Sequence, residues 1–312
     1  MSLETYLHEL ADPTKPLAVS KLINLSSMGP EEASRFLNAW PGFELGQRQR
    51  LMQTLIDLAE DNVELNFDAV FFIAMADSTA EVRQHAIRGL WEHEGRDLID
   101  PLIGLLQSDP DARVRAEAAL ALGRFVLQAE FATLRSAHAE RVDQALRRTI
   151  EDSAEVAEVC GRALESLAAH DAPWVRDLIQ QAFESSDRRL RLSALHAMGR
   201  SCAARWLPLL IPELASDDAE MRFEAAGACG AIADESATPH LLPLLRDEDE
   251  EVQEAAIAAL GEISGAQAKA ALEGLLQNGS ERVREAAVAA LAEVNFAEDP
   301  VGFKVRDDPR GE

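Results

Sequence analysis

The sequence predicts an all-α fold, an α-solenoid of stacked antiparallel helix pairs, and three observations carry the prediction. The first is a recurring phrase. Residues 109–123, DPDARVRAEAALALG, join a short acidic turn to an apolar residue, an arginine and an alanine-rich helix. With the first apolar residue as anchor, the phrase returns at Val82, Val114, Val156, Leu190, Met221, Val252 and Val283, in steps of 32, 42, 34, 31, 31 and 31 residues. A nearly fixed period of that size marks units that cannot bury their apolar faces alone and stack on one another. The second is the chemistry of the columns that follow the anchor. Four residues on stand Ala86, Ala118, Cys160, Ala194, Ala225, Ala256 and Ala287. Seven on stand Gly89, Ala121, Ala163, Ala197, Ala228, Ala259 and Ala290; eight on stand Leu90, Leu122, Leu164, Met198, Cys229, Leu260 and Leu291. At about 100° per residue these columns share one helical face with the anchor. Its small columns let another helix approach closely. The third is composition: 47% of the 312 residues are hydrophobic but only 5% aromatic. That suits close helix packing on Ala and Leu, and adding layers avoids the size limit of a single core.

Taken in order, residues 1–61 are the least regular. SLETYLHEL is a short amphipathic helix stopped at Asp12-Pro13, and PEEASRFLNAW opens with proline at a first-turn position followed by acids, a sound helix start. LGQRQRLMQTLIDLAED has an apolar stripe of Leu51, Leu55 and Leu58. The segment reads as an N-terminal helical cap plus a degenerate repeat, since a terminal repeat must cover a hydrophobic end. Residues 62–294 form the repeat array, about seven helix pairs. Between the anchor helices lie shorter apolar ones, such as DLIDPLIGLLQ (97–107) and TPHLLPLLRD (238–247). The 42-residue step holds extra residues near 128–141, a lengthened helix pair or a protrusion. Residues 295–312 lose the period and are expected to form a mobile tail.

The repeat phrase resembles HEAT-like repeats, in the short form found in phycocyanobilin lyase-type repeat proteins; the likeness is good over 62–294 and loose over 16–61. The resemblance implies an armadillo-type superhelix and a ladder between repeats, made by an Asp in the turn and an Arg six residues later. Asp77 with Arg83 and Asp109 with Arg115 fit that pattern, Asn278 with Arg284 nearly so. Arg191 and Arg222 keep the arginine with a displaced acid, whereas Ala157 and Gln253 break the pattern, so the ladder is expected to be interrupted there.

Charge narrows the partners. Fifty-five acids against 30 bases give a formal net charge of −25, which repels nucleic acid and anionic lipid and favours a basic or neutral protein or peptide. The three cysteines form no CxxC pair, no apolar run approaches the length of a membrane span, and the N-terminus lacks the pattern of a secretory signal. A reduced, cytoplasmic protein is expected. Deoxyhypusine hydroxylase, an enzyme built on similar repeats, holds a di-iron centre with His-Glu pairs inside its repeat helices. Here the His-Glu dipeptides, His8-Glu9 and His93-Glu94, lie outside that register, so neither a metal nor another cofactor is expected. The run 247–251, DEDEE, spans a turn and a helix start, where acids serve the helix dipole.

A binding surface is expected on the anchor helices opposite their core stripe, at positions two and six after the anchor. In HEAT-like arrays this surface lines the concave side. Its centre would hold Leu120, Leu192 and Phe223, with Arg162 and His196 among them, and Trp91 stands where other repeats favour glycine. An apolar centre with a charged rim suits a peptide groove. The expected function is a non-enzymatic interaction scaffold; the alternative is an accessory or catalytic protein of the bilin lyase type, holding a tetrapyrrole and its acceptor protein.

Overall fold

The computed structural model describes residues 3–12, 15 and 17–298. Among them every regular element is a helix, and the chain divides into two compact units, Met1–Leu167 and Ala168–Glu312. The expected tail lies outside the described residues from 299 onward; the final helix runs from Glu281 to Glu298.

In the first unit, helices Leu3–Ala11, Pro30–Ala39 and Leu45–Asp61 precede the regular pairs. Helix Pro30–Ala39 starts as the sequence suggests: Pro30 is its first residue, and the Glu32 carboxylate accepts the Gly29 N–H at 3.0 Å. Its end carries an aromatic cluster in which Phe36, Trp40 and Phe43 lie 5.5–6.0 Å apart. The indole of Trp40 donates to Asp77 at 2.8 Å, and Arg48 also binds Asp77, so the N-terminal helices are tied to the first turn of the array. The pairs Asp68–Ala74 with Ala80–Gly89, Ile99–Ser108 with Ala112–Glu130, and Ser136–Glu151 with Ala157–Leu167 follow.

In the second unit the pairs are Pro173–Phe183 with Arg188–Arg200, Leu207–Glu213 with Ala219–Ile232, Thr238–Leu241 (continuing as a 3-10 turn to Arg246) with Glu250–Ile263, and Gly265–Asn278 with Glu281–Glu298. Glycine nine residues after one anchor meets alanine seven after the next. A Cβ added at Gly199 would lie 2.8 Å from Ala228 Cα, and one at Gly261 would lie 2.9 Å from Ala290 Cβ. Both neighbours belong to the packed helix, so the small columns set the spacing of the layers.

The register of the unit between Val114 and Leu190 differs from expectation. Val156 is 45% exposed and precedes its helix, whereas Val159 is fully buried. With Val159 as anchor the following columns become Ala163, Ser166 and Leu167, all buried, and Ser166 meets Gly123 as Ala228 meets Gly199. The step to Leu190 is then the standard 31, and the step from Val114 grows to 45. The surplus residues lengthen two helices, Ala112–Glu130 with 19 residues and Ser136–Glu151 with 16.

Candidate functional site

The arginines after the anchors are structural. Arg83 forks onto Asp109 with both contacts at 2.7 Å and also donates to the Asp77 carbonyl at 2.8 Å. Arg115 repeats this with Glu155 and the Asp109 carbonyl; Arg222 does so with Asp247 and the Ser216 carbonyl. Each arginine therefore closes its own turn and holds a carboxylate of the following repeat, a two-pronged geometry that only guanidinium supplies. Gln253 reaches the Asp247 carbonyl at 2.6 Å but adds no charge pair, as expected for a break in the ladder. The DEDEE run is used in the same way: Asp247 takes Arg222, Asp249 caps its helix by accepting from Glu251 and Val252, and Glu250 pairs with Arg282.

The expected binding residues fall into different settings. In the first unit, Leu120 is 41% exposed on its helix. Arg162 is engaged by Glu158 at 3.2 Å and by the buried Glu165 at 2.9 Å, so its charge already serves the fold. Trp91 lies beyond the end of helix Ala80–Gly89, in a turn, half exposed. An indole cannot make the close approach that glycine makes at that column, so the side chain is turned outward. In the second unit, Leu192 is a correction: it is 3% exposed. Helix Arg188–Arg200 packs against helices Pro173–Phe183 and Ala219–Ile232, and Leu192 is covered where Phe223, in the same column, is open. Leu192 is core.

His196 and Phe223 lie on neighbouring helices, and His196 is placed beside Glu224 and not in the pocket that Phe223 lines. The imidazole Nδ1 lies 3.3 Å from the carboxylate of Glu224, the residue after Phe223. Phe223 is 40% exposed and lines an open pocket of about 460 Å³ with Arg188, Asp218, Glu220, Glu224, Asp249 and Glu251. Five carboxylates thus face one guanidinium. Arg188 binds Asp218 at 2.6 Å and Glu220 at 2.7 Å, and its hydrogen bond is the main reason that Asp218 is held below the usual carboxylate range. Asp218 and Asp249 also cap their helices. Glu251 has no side-chain partner among the described residues. The pocket's polar wall falls outside the columns two and six after the anchor, because it is built largely from the helix-capping turns of two successive repeats. Among the described residues no group of three or more His, Cys, Asp or Glu side chains is arranged to hold a metal ion, and no helix is long and apolar enough to cross a membrane.

The chain is similar to several solved structures. The complex of CpcE and CpcF of phycocyanin lyase from Nostoc matches 91% of this chain and 96% of its own at 19% identity, with a TM-score of 0.52. YibA from Escherichia coli matches 77% of this chain and 96% of its own at 20% identity, TM-score 0.47. Human deoxyhypusine hydroxylase matches 94% and 96% at 20% identity, TM-score 0.37. At 19% identity the likeness to the phycocyanin lyase complex is one of fold alone. No curated protein matches the sequence. The model of HEAT repeats matches residues 69–155 and 207–292, more than half of the chain; the chain belongs to the HEAT-repeat family.

Proposed function

We propose that this protein is a non-enzymatic scaffold that holds a basic segment of a partner protein against its anchor helices. The observation that supports the reading is the pocket around Phe223: an exposed aromatic ring walled by five carboxylates with a single arginine between them. A lysine or arginine side chain entering there gains ion pairs with Glu251 and Glu224 and stacks its stem or its charge on the ring. The net charge of −25 steers such a partner from a distance. Carboxylates occupied by helix capping and by Arg188 shape the pocket, while Glu251, Glu224 and the ring do the binding.

The test uses the full chain and a basic peptide series, with affinity read by fluorescence anisotropy. Phe223→Ala and Glu251→Lys should each weaken binding, and the wild-type affinity should fall as salt rises. Affinity that is indifferent both to salt and to Phe223→Ala removes the pocket from the function. A protein that purifies with a visible absorbance band would instead favour the pigment-handling reading of the bilin lyase type.

A further inference from the structure

The lengthened pair in the first unit builds a second surface. Aligned on their anchors, helix Ala80–Gly89 ends where helix Ala112–Glu130 has reached Ala121. The longer helix therefore overhangs its neighbour by nine residues, about 13 Å at 1.5 Å per residue. On one side the overhang is packed, with Leu122, Phe125 and Val126 buried. On the other, Leu127 and Phe131 are 37% and 76% exposed and converge with Trp91 on an open cleft of about 1030 Å³. Glu92, Glu94, Arg124, Gln128 and Thr133 complete its lining. Single exposed apolar side chains are ordinary on a protein surface; two aromatic rings and a leucine on one cleft, in a chain with 5% aromatic residues, are a patch that the fold does not use.

The floor of the cleft is pre-organised. Arg124 donates through Nη1 to the Leu90 and His93 carbonyls and through Nε to the Ala121 carbonyl, and no carboxylate pairs with it among the described residues. Burial lowers its pKa. Its Nη2 makes no hydrogen bond among the described residues and is a donor left over. The turn that it grips is held from behind as well: His93 bridges Asp68 at 2.8 Å and Asp97 at 3.0 Å and stands edge-on to Phe72. Trp91, Glu92 and Glu94 therefore ride on a turn fastened on both sides, which lowers the ordering cost of binding.

From these parts the geometry points to a docking site for an extended, basic segment of a partner protein, carrying an arginine or lysine next to a leucine-sized or aromatic residue. The apolar side chain lies on Trp91, Leu127 and Phe131. The cation is met by Glu92 and Glu94, both exposed, and by the rings. Arg124 Nη2 donates to a backbone carbonyl of the segment, an acceptor that every extended peptide offers. An anionic occupant is disfavoured by the two glutamates and by the net charge of the chain. The site lies wholly in the first unit, whereas the Phe223 pocket lies in the second, so the two stand or fall separately.

The experiment is run on the full chain carrying Phe223→Ala, so that the other pocket does not contribute. The probe is a short fluorescein-labelled peptide alternating leucine with arginine; its counterparts replace arginine by glutamate or leucine by serine. Trp91→Ala/Phe131→Ala removes only exposed side chains and should keep the helical circular dichroism of its parent. It is expected to weaken the arginine–leucine peptide by roughly tenfold or more. Glu92→Gln/Glu94→Gln should weaken it several-fold and flatten its salt dependence. Both counterpart peptides should bind more weakly than the probe. Equal affinity in the parent and in the Trp91→Ala/Phe131→Ala protein overturns the assignment, as does a glutamate peptide that binds as tightly as the arginine peptide, or an arginine–leucine peptide that does not bind.

Discussion

Replacing Arg222 by glutamine tests the ladder with a substitution the chain itself makes at Gln253. The guanidinium of Arg222 holds Asp247 with contacts at 2.7 and 2.8 Å and the Ser216 carbonyl at 2.8 Å, and the two side chains are 10% and 9% exposed. Glutamine in that column keeps the carbonyl bond, as Gln253 does with Asp247 at 2.6 Å, but leaves the carboxylate without its cation. Breaking a buried pair costs about 3–5 kcal/mol; screening at a solvent-reached turn lowers this, so about 2–3 kcal/mol is expected. For a unit of this size that is about 5–10 °C in melting temperature. The sign with pH follows from Asp247, whose pKa is lowered chiefly by the hydrogen bond from Arg222. A carboxylate with a depressed folded pKa contributes stability that is fully present above its unfolded value, near 3.9, and is lost as pH falls through the folded value. Urea unfolding of wild type and Arg222→Gln, followed by circular dichroism, should therefore show a gap at neutral pH that closes in acid. A double-mutant cycle with Asp247→Asn should recover most of the gap as coupling. A difference that persists unchanged below the folded pKa of Asp247, or a cycle without coupling, refutes the ladder as the source of stability.

Further outcomes follow from packing and protonation. Gly261→Ala drives a Cβ to 2.9 Å from Ala290 Cβ and should destabilise by about 1–3 kcal/mol. Gly227→Ala, on the next-but-one helix face with nothing within 4 Å, should stabilise by up to about 1 kcal/mol; paired urea curves measure both. Leu192→Asp places a carboxylate in the core and should abolish cooperative melting of the second unit, whereas Leu120→Asp, on an exposed position, should leave melting nearly unchanged. Burial opposes the charge on His93, but hydrogen bonds to Asp68 and Asp97 outweigh it and raise its pKa. Its stabilisation should then be complete below about 6.5 and fade as pH rises through the folded value. The melting gap between wild type and His93→Gln, measured across neutral pH, should shrink in that direction.

Much of this architecture was legible in the sequence, but the candidate sites were legible only in fragments. The outward columns pick out Phe223, which lines a pocket with Glu224, and His196, which reaches Glu224 without lining that pocket, and Trp91 stands out at a column where glycine is usual. Phe131, Leu127 and Arg124 were missed, although the irregular step was visible and Phe131 is the one aromatic residue in QAEFATLR. A ring in a polar stretch signals exposure or a contact, and only coordinates distinguish the two.

By itself the sequence determined that this protein is a stack of helix pairs, how long the layers are where the period is regular, and which columns are small. Those properties reside in each repeat separately, written in local periodicity and in turn residues that act within a few positions of one another. The tertiary structure decided what depends on two distant stretches at once. Val156 and Val159 stand about one helical turn apart, so periodicity accepts either, and burial selects Val159. Arg83 has acids in its own turn and the next, and packing gives it Asp109. Leu192 and Phe223 occupy the same column, yet one is covered and the other open, because burial is set by the neighbouring helices and not by the helix that carries the residue.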